Sequence, residues 1–147
     1  MSELLSILVI EDDELTRKAL QRSLRLYGFE VCLAKDGPSG LRLAQEKRPA
    51  FILLDWMMPE MDGLTVLSEL KQNNKTRHIP VFMLTGRGMI GDLDEAFELG
   101  ADDYIVKPLD LTDLGRTVTV KWEKYTSRTG VSVKPADRRI GVFKKRR

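Results

Sequence analysis

Phe51-Ile52-Leu53-Leu54-Asp55-Trp56-Met57-Met58-Pro59-Glu60-Met61-Asp62-Gly63 decides how this chain folds. Four apolar residues in succession read as a strand buried on both faces, as in a parallel sheet covered by helices. The run ends in a carboxylate, and the proline, aspartate and glycine beyond it turn the chain toward its next element. Open α/β sheets bind ligands beyond the carboxyl ends of their strands. Asp55 is therefore a candidate site residue by position alone.

Outward from this strand, short apolar runs alternate with segments of helical period, five units in all. Ile7 to Ile10 reads as the first strand. Leu15, Ala19, Leu20, Leu24 and Tyr27 mark an amphipathic helix, which Gly28 is expected to end as its C′ residue. Phe29 to Leu33 is the second strand. Asp36-Gly37-Pro38 opens a helix that runs to about Lys47, where Arg48-Pro49 breaks it. The spacing predicts a third helix over 64–72, a strand over 81–84 after Pro80, a fourth helix over 93–99 stopped by Gly100, and a fifth strand over 104–106. Leu111, Leu114, Val118, Trp122 and Tyr125 share a helical face with Asp110 as N-cap. Against that helix stand Gly115 and the run Thr117-Val118-Thr119-Val120, which also fits period two; the helix is the preferred reading. The pattern is a doubly wound α/β fold, a five-stranded parallel sheet with helices on both faces.

Length and composition bound the rest. The 147 residues suit one domain and a short extension, and 42% hydrophobic with 31% charged residues is the balance of an ordinary globular chain. No stretch is long enough to span a bilayer and no export signal is visible, so the expectation is a cytoplasmic protein without a membrane partner. The single cysteine, Cys32, lies in the second strand, where a buried structural thiol is expected. Charge is uneven: residues 134–147 hold seven basic side chains against Asp137 alone. Residues 1–133 carry 17 basic and 21 acidic groups, a body of net −4.

The carboxyl ends of strands one, three, four and five carry Glu11-Asp12-Asp13, Asp55, Thr85 and Lys107. Adjacent strands lie ~4.8 Å apart, so these side chains can share one pocket. Carboxylates held together repel unless one takes a proton or a hard cation binds, and a site with few protein oxygens suits Mg²⁺. Lys107 adds compensating positive charge. A carboxylate flanked by a metal, an ammonium and a hydroxyl is what phosphoryl transfer to an aspartate requires.

Ile7-Leu8-Val9-Ile10-Glu11-Asp12-Asp13-Glu14, Leu54 through Gly63, Met83-Leu84-Thr85-Gly86 and Leu99-Gly100-Ala101-Asp102-Asp103-Tyr104-Ile105-Val106-Lys107-Pro108 together resemble the receiver domain of two-component response regulators. Four motifs in one order and spacing make the likeness specific. It covers about residues 5–128, and implies a flavodoxin-like strand order, 2-1-3-4-5. It also implies a phosphorelay role, with Asp55 accepting a phosphoryl group from a histidine kinase or histidine phosphotransfer protein and a conformational switch controlling a downstream protein target. Carried over by position, Asp12 binds Mg²⁺ directly and Glu11 through water, and the Met57 backbone carbonyl completes the metal site with Asp55. Thr85 is the switch hydroxyl, Tyr104 the aromatic switch, and Lys107 the phosphate-binding ammonium, held by a cis Lys107-Pro108 bond.

Other residues have plainer roles. Asp13 is expected to cap helix one rather than bind metal, Trp56 and Trp122 to pack, and His78 to sit in an exposed loop. Gly86 stands where alanine is common in the family, and Arg87 is a candidate for slowing loss of the acyl phosphate. The Phe97 to Tyr104 stretch resembles receivers that dimerise through helix four, strand five and helix five, although helix five here matches them poorly. The domain division is 1–128 for the receiver and 129–147 for a basic tail or linker. That tail is read first as solvated linker, then as a docking segment for an acidic partner, with nucleic acid the less favoured choice. Two alternatives stand beside the signalling reading. One is a Mg²⁺-dependent phosphatase working through an aspartyl phosphate, against which Met57 occupies the place of a second acid. The other is the receiver fragment of a DNA-binding regulator.

Overall fold

The computed structural model describes residues 4–86 and 91–130. Five strands, β1 (Ser6–Ile10), β2 (Glu30–Ala34), β3 (Phe51–Asp55), β4 (Val81–Thr85) and β5 (Asp103–Val106), alternate with helices α1 (Glu14–Arg25), α2 (Gly37–Lys47), α3 (Gly63–Gln72), α4 (Leu93–Leu99) and α5 (Leu114–Thr129). The strands form one sheet in the order β2-β1-β3-β4-β5, every pairing parallel. The α/β doubly wound architecture and the strand order match expectation.

Period-two alternation divides the core into two layers. Leu8, Ile10, Ile52, Leu54, Val81 and Met83 face Ala44, Val66, Leu67, Leu70 and Ala96, from α2, α3 and α4. Ile7, Val9, Phe51, Leu53, Phe82 and Leu84 face Leu20, Leu24, Leu114, Val118 and Trp122, from α1 and α5. Burying each aliphatic side chain contributes roughly 1.5–3 kcal/mol, so the central strands are the most firmly fixed part of the chain. Their carboxyl ends inherit that rigidity.

Several local expectations need correction. α1 ends at Arg25, and Gly28, with φ of 89°, closes the following turn by donating to the Arg25 carbonyl instead of serving as C′. Leu15 is 81% exposed rather than part of the packed face; on a 3.6-residue period it lies well to one side of the Leu20–Leu24 stripe. Cys32 is only half-buried, packed against the edge of one layer because β2 is the outer strand. The N-cap of α5 is Asp113, while Asp110 makes a separate turn in which its Oδ1 accepts from the Thr112 N–H and hydroxyl. Leu111 consequently lies outside the helix.

The helical reading of α5 holds, and the residues that argued against it have specific partners. Gly115 leaves room for the Tyr27 ring: a Cβ there would stand 2.0 Å from Tyr27 Cδ1. Thr119 turns its hydroxyl back to the Gly115 carbonyl at 2.7 Å. Leu114, Val118 and Trp122 bury one face, and the Trp122 ring stacks on Phe51 with centroids 4.9 Å apart. Packing overrides the weak helical propensity of the segment.

The loop after β3 folds tightly against the strand end. Gly63 N–H donates to the Trp56 carbonyl at 2.8 Å, Asp62 caps α3 by accepting from Thr65 N–H, and Trp56 is buried. A Cβ on Gly63 would stand 2.4 Å from the Asp55 carbonyl oxygen and 2.7 Å from Trp56 Cα. Both obstacles are backbone of the site strand, so Gly63→Ala is expected to destabilise the fold by about 1–3 kcal/mol. Urea denaturation followed by far-UV circular dichroism measures this; a change below about 0.5 kcal/mol contradicts the assigned role of Gly63.

Candidate functional site

Parallel register sets the site residues side by side. Ile10 pairs with Leu54, Leu84 with Asp55, and Thr85 with Val106. Beyond these pairs the ladder continues: Glu11 N–H donates to the Ala34 carbonyl, Trp56 N–H to Leu84, and Lys107 N–H to Thr85 at 2.7 Å. Glu11, Asp55, Thr85 and Lys107 are thus positioned by main-chain hydrogen bonds rather than by loop conformation.

Glu11 and Asp55 are 1% and 2% exposed, whereas Asp12 reaches solvent. One carboxylate oxygen from each of the three can lie within 4.8 Å of the others. Lys107 Nζ donates to Asp55 Oδ1 at 2.9 Å and to Glu11 Oε1 at 3.3 Å. The other Glu11 oxygen accepts the Asp13 N–H at 3.1 Å. Two of the three carboxylates thus share one ammonium, with Asp12 beside them, and a divalent cation would balance the excess negative charge. Oxygen-only donors, one of them open to water, fit a hard ion that retains part of its hydration.

Electrostatics follow from burial. Loss of hydration pushes the Glu11 carboxyl up to about 7, against the lowering influence of the Asp13 N–H and Lys107. Burial raises Asp55 too, with Lys107 opposing through its hydrogen bond and charge. For Lys107 burial pulls downward, but the hydrogen bond and charge of Asp55, with Glu11, outweigh it and the net shift is upward.

Thr85 is buried, and its hydroxyl donates to the Gly86 carbonyl at 3.2 Å. Tyr104 is half-buried, its ring edge-on to Phe97 and 5.5 Å beneath Lys121 Nζ, which also pairs with Asp103 at 3.0 Å. The Met57 side chain is 64% exposed beside the site. The Lys107-Pro108 peptide is cis. Asp13 caps α1 by accepting from Thr16 N–H at 2.9 Å, and it lies outside the carboxylate cluster. His78 is exposed, and both tryptophans are buried packing residues. At Gly86 a Cβ would meet nothing within 4 Å, so space alone does not demand glycine there. Arg87 and the basic segment 134–147 lie outside the described residues.

Sequence reasoning missed Arg17. Its Nη1 donates to the carbonyls of Glu11, at 2.9 Å, and Asp12, at 3.1 Å. A basic residue one helical turn past the Asp13 cap was the available signal.

A carboxylate cluster at the end of a doubly wound parallel sheet, with a lysine and a hydroxyl from the neighbouring strands, is the arrangement the receiver resemblance implies for a signalling domain. The sequence matches the response regulator receiver domain over residues 7–119, and the chain belongs to that family. It is 41% identical over 108 residues to the DNA-binding dual master transcriptional regulator RpaA of Synechocystis, covering 74% of this chain and 45% of RpaA. Transcriptional regulatory protein PrrA of Mycobacterium tuberculosis is 44% identical over 108 residues, again 74% of this chain, and 46% of PrrA. The chain thus matches less than half the length of either regulator. Among solved structures, chemotaxis protein CheY4 of Vibrio cholerae superimposes with a TM-score of 0.74 at 27% identity, covering 80% of this chain and 98% of that one.

The raised Glu11 and Asp55 carboxyls make stability fall with pH in the absence of divalent metal. A carboxyl raised in the folded state favours folding most below its unfolded value, near 4.5 for Glu11, and that advantage disappears as pH rises through about 7. Lys107, raised above 10.5, stays charged throughout this window. Melting temperature in EDTA is expected to drop between pH 5 and 7.5, with a shallower slope in Glu11→Gln. A flat profile, or one rising with pH in wild type and unchanged in Glu11→Gln, contradicts the burial assigned to this carboxyl.

Proposed function

We propose that Asp55 is the phosphoacceptor of a two-component phosphorelay, receiving its phosphoryl group from a histidine kinase or histidine phosphotransfer protein. The observation that carries this reading is the placement of Asp55, nearly enclosed, within hydrogen-bonding distance of Lys107 and in a three-carboxylate cluster with Glu11 and Asp12. An Asp55 carboxylate oxygen attacks phosphorus as the bond from phosphorus to the donor nitrogen breaks, and the electron pair leaves with the donor imidazole. Lys107, bonded to Asp55 at rest, meets charge on the phosphoryl oxygens. Thr85 exchanges its Gly86 partner for a phosphoryl oxygen, and Tyr104 follows into the space beside it. Glu11, Asp12, Asp55 and the Met57 carbonyl would hold Mg²⁺. That ion supplies charge neutralisation for the transferring group.

An apolar surface adjoins the site. Leu15 and Leu111, 81% and 40% exposed, line an open groove of about 440 Å³ with Ala19, Pro108, Leu109 and Lys107. Its continuity with Lys107 supports a role as the docking surface for the protein that donates the phosphoryl group. Output belongs to a downstream protein target. Exposed Phe97 and Val120 support a homodimer across α4, β5 and α5, which a beryllofluoride-treated chain remaining monomeric by light scattering would remove. The phosphatase alternative lacks its second acid at Met57 and is not favoured. No helix among the described residues is long and apolar enough to cross a membrane.

Acetyl phosphate with Mg²⁺ is expected to add one phosphoryl group per chain by intact mass spectrometry, lost in Asp55→Ala and on chelation. Leu15→Asp should label normally from acetyl phosphate but at least about fivefold more slowly from a phosphorylated donor protein. Labelling that survives in Asp55→Ala rejects the acceptor; equal slowing from both donors rejects the docking surface.

A further inference from the structure

Arg17 lies in the second turn of α1 and is half-buried, yet its guanidinium pairs with no acid in the cluster beside it. One nitrogen, Nη1, instead donates to two successive carbonyls, Glu11 at 2.9 Å and Asp12 at 3.1 Å. Those carbonyls belong to the two peptide planes on either side of the Asp12 Cα. Fixing both planes fixes φ and ψ of Asp12, and leaves only its side-chain rotations free. The second plane is held at its other end as well, since Asp13 N–H donates to Glu11 Oε2. α1 itself is anchored by Leu20 and Leu24, both fully buried, so the base from which Arg17 reaches is rigid.

Asp12 needs such a constraint more than its neighbours do. Asp55 ends a central strand and Glu11 is tied to the Ala34 carbonyl through its N–H, whereas Asp12 is exposed and lies between β1 and α1. Holding a metal-binding carboxylate in place before the ion arrives removes an ordering cost from binding.

We propose that Arg17 is a positioning residue that sets divalent-cation affinity by locking the Glu11-Asp12 main chain, without touching the ion. The inference rests on the phosphoacceptor reading of the site, and it carries its own sign. A cation near a cation site repels the ion, so deleting Arg17 for its charge alone would tighten Mg²⁺ binding. Loss of positioning weakens it.

Mg²⁺ titration of the full chain, followed by the combined fluorescence of Trp56 and Trp122, is the test. Arg17→Met is expected to raise the Mg²⁺ dissociation constant about tenfold, while labelling by acetyl phosphate at saturating Mg²⁺ reaches the wild-type extent. Arg17→Lys, which restores a charged donor, should return within about threefold of wild type, and Lys18→Met, removing an exposed charge that pairs with Glu14, should not weaken binding. Urea midpoints in EDTA are compared for each variant. An unchanged or tighter constant in Arg17→Met, no recovery in Arg17→Lys, or a loss that merely tracks a lowered urea midpoint overturns the proposal. Wild-type protein that binds no Mg²⁺ overturns the reading of the site itself, a different result from wild type binding and Arg17→Met binding equally well.

Discussion

The Lys107–Asp55 ion pair, 2.9 Å between Nζ and Oδ1, is the contact around which the rest of the site is arranged. A carboxylate as enclosed as Asp55 cannot be left unpaired, because removal from water disfavours its charged form by several kcal/mol. Lys107 stands immediately beyond the edge strand β5, Asp55 at the end of β3, and β4 lies between them. The ammonium therefore reaches across a whole strand to meet the carboxylate. The Lys107 N–H bond to the Thr85 carbonyl fixes where that reach begins. Glu11 closes the arrangement from β1, giving Lys107 a second acceptor and making the ammonium common to two buried acids.

The same pair explains why the site is poised rather than settled. One ammonium does not balance the carboxylate cluster; loss of hydration, more than that imbalance, pushes the Glu11 carboxyl up to about 7. The site can relieve that imbalance by protonation or by a divalent cation, and only the second leaves every carboxylate charged. Around it the scaffold is stiff: two apolar layers grip the central strands, and Gly63 lays the β3–α3 loop against the Asp55 carbonyl. Above it the Thr85 hydroxyl rests on the Gly86 carbonyl, and the half-buried Tyr104 ring lies between Phe97 and Lys121.

Much of this was legible in the residues. Continuous apolar runs marked the buried strands, and Asp36, Gly37 and Pro38 marked the start of α2 because capping chemistry is local. Glu11, Asp12, Asp55, Thr85 and Lys107 could be grouped because each falls just past or at a strand end. Nonlocal contacts were not legible. The Tyr27 ring that requires Gly115 depends on how the turn after α1 meets α5, whereas the Asp110 turn, closed by Thr112, and the exposure of Leu15, off the Leu20–Leu24 stripe, are local features that the apolar pattern misread. Arg17 escaped notice for a related reason: its partners are main-chain carbonyls, which no side-chain pattern announces.

The chain matches less than half the length of both RpaA and PrrA, proteins whose names state transcriptional control, and superimposes on nearly all of the chemotaxis protein CheY4. One domain fold thus occurs in different regulatory settings, so the site common to them is the firmest ground for a decisive test. That test is a crystal structure of the protein with Mg²⁺ and beryllofluoride. Beryllium bonded to an Asp55 oxygen is expected, with Lys107 Nζ and the Thr85 hydroxyl on its fluorides and the metal bound by Asp12 and Asp55. Beryllofluoride absent from Asp55, or bound there with Thr85 still donating to Gly86, would contradict the switch described for this site.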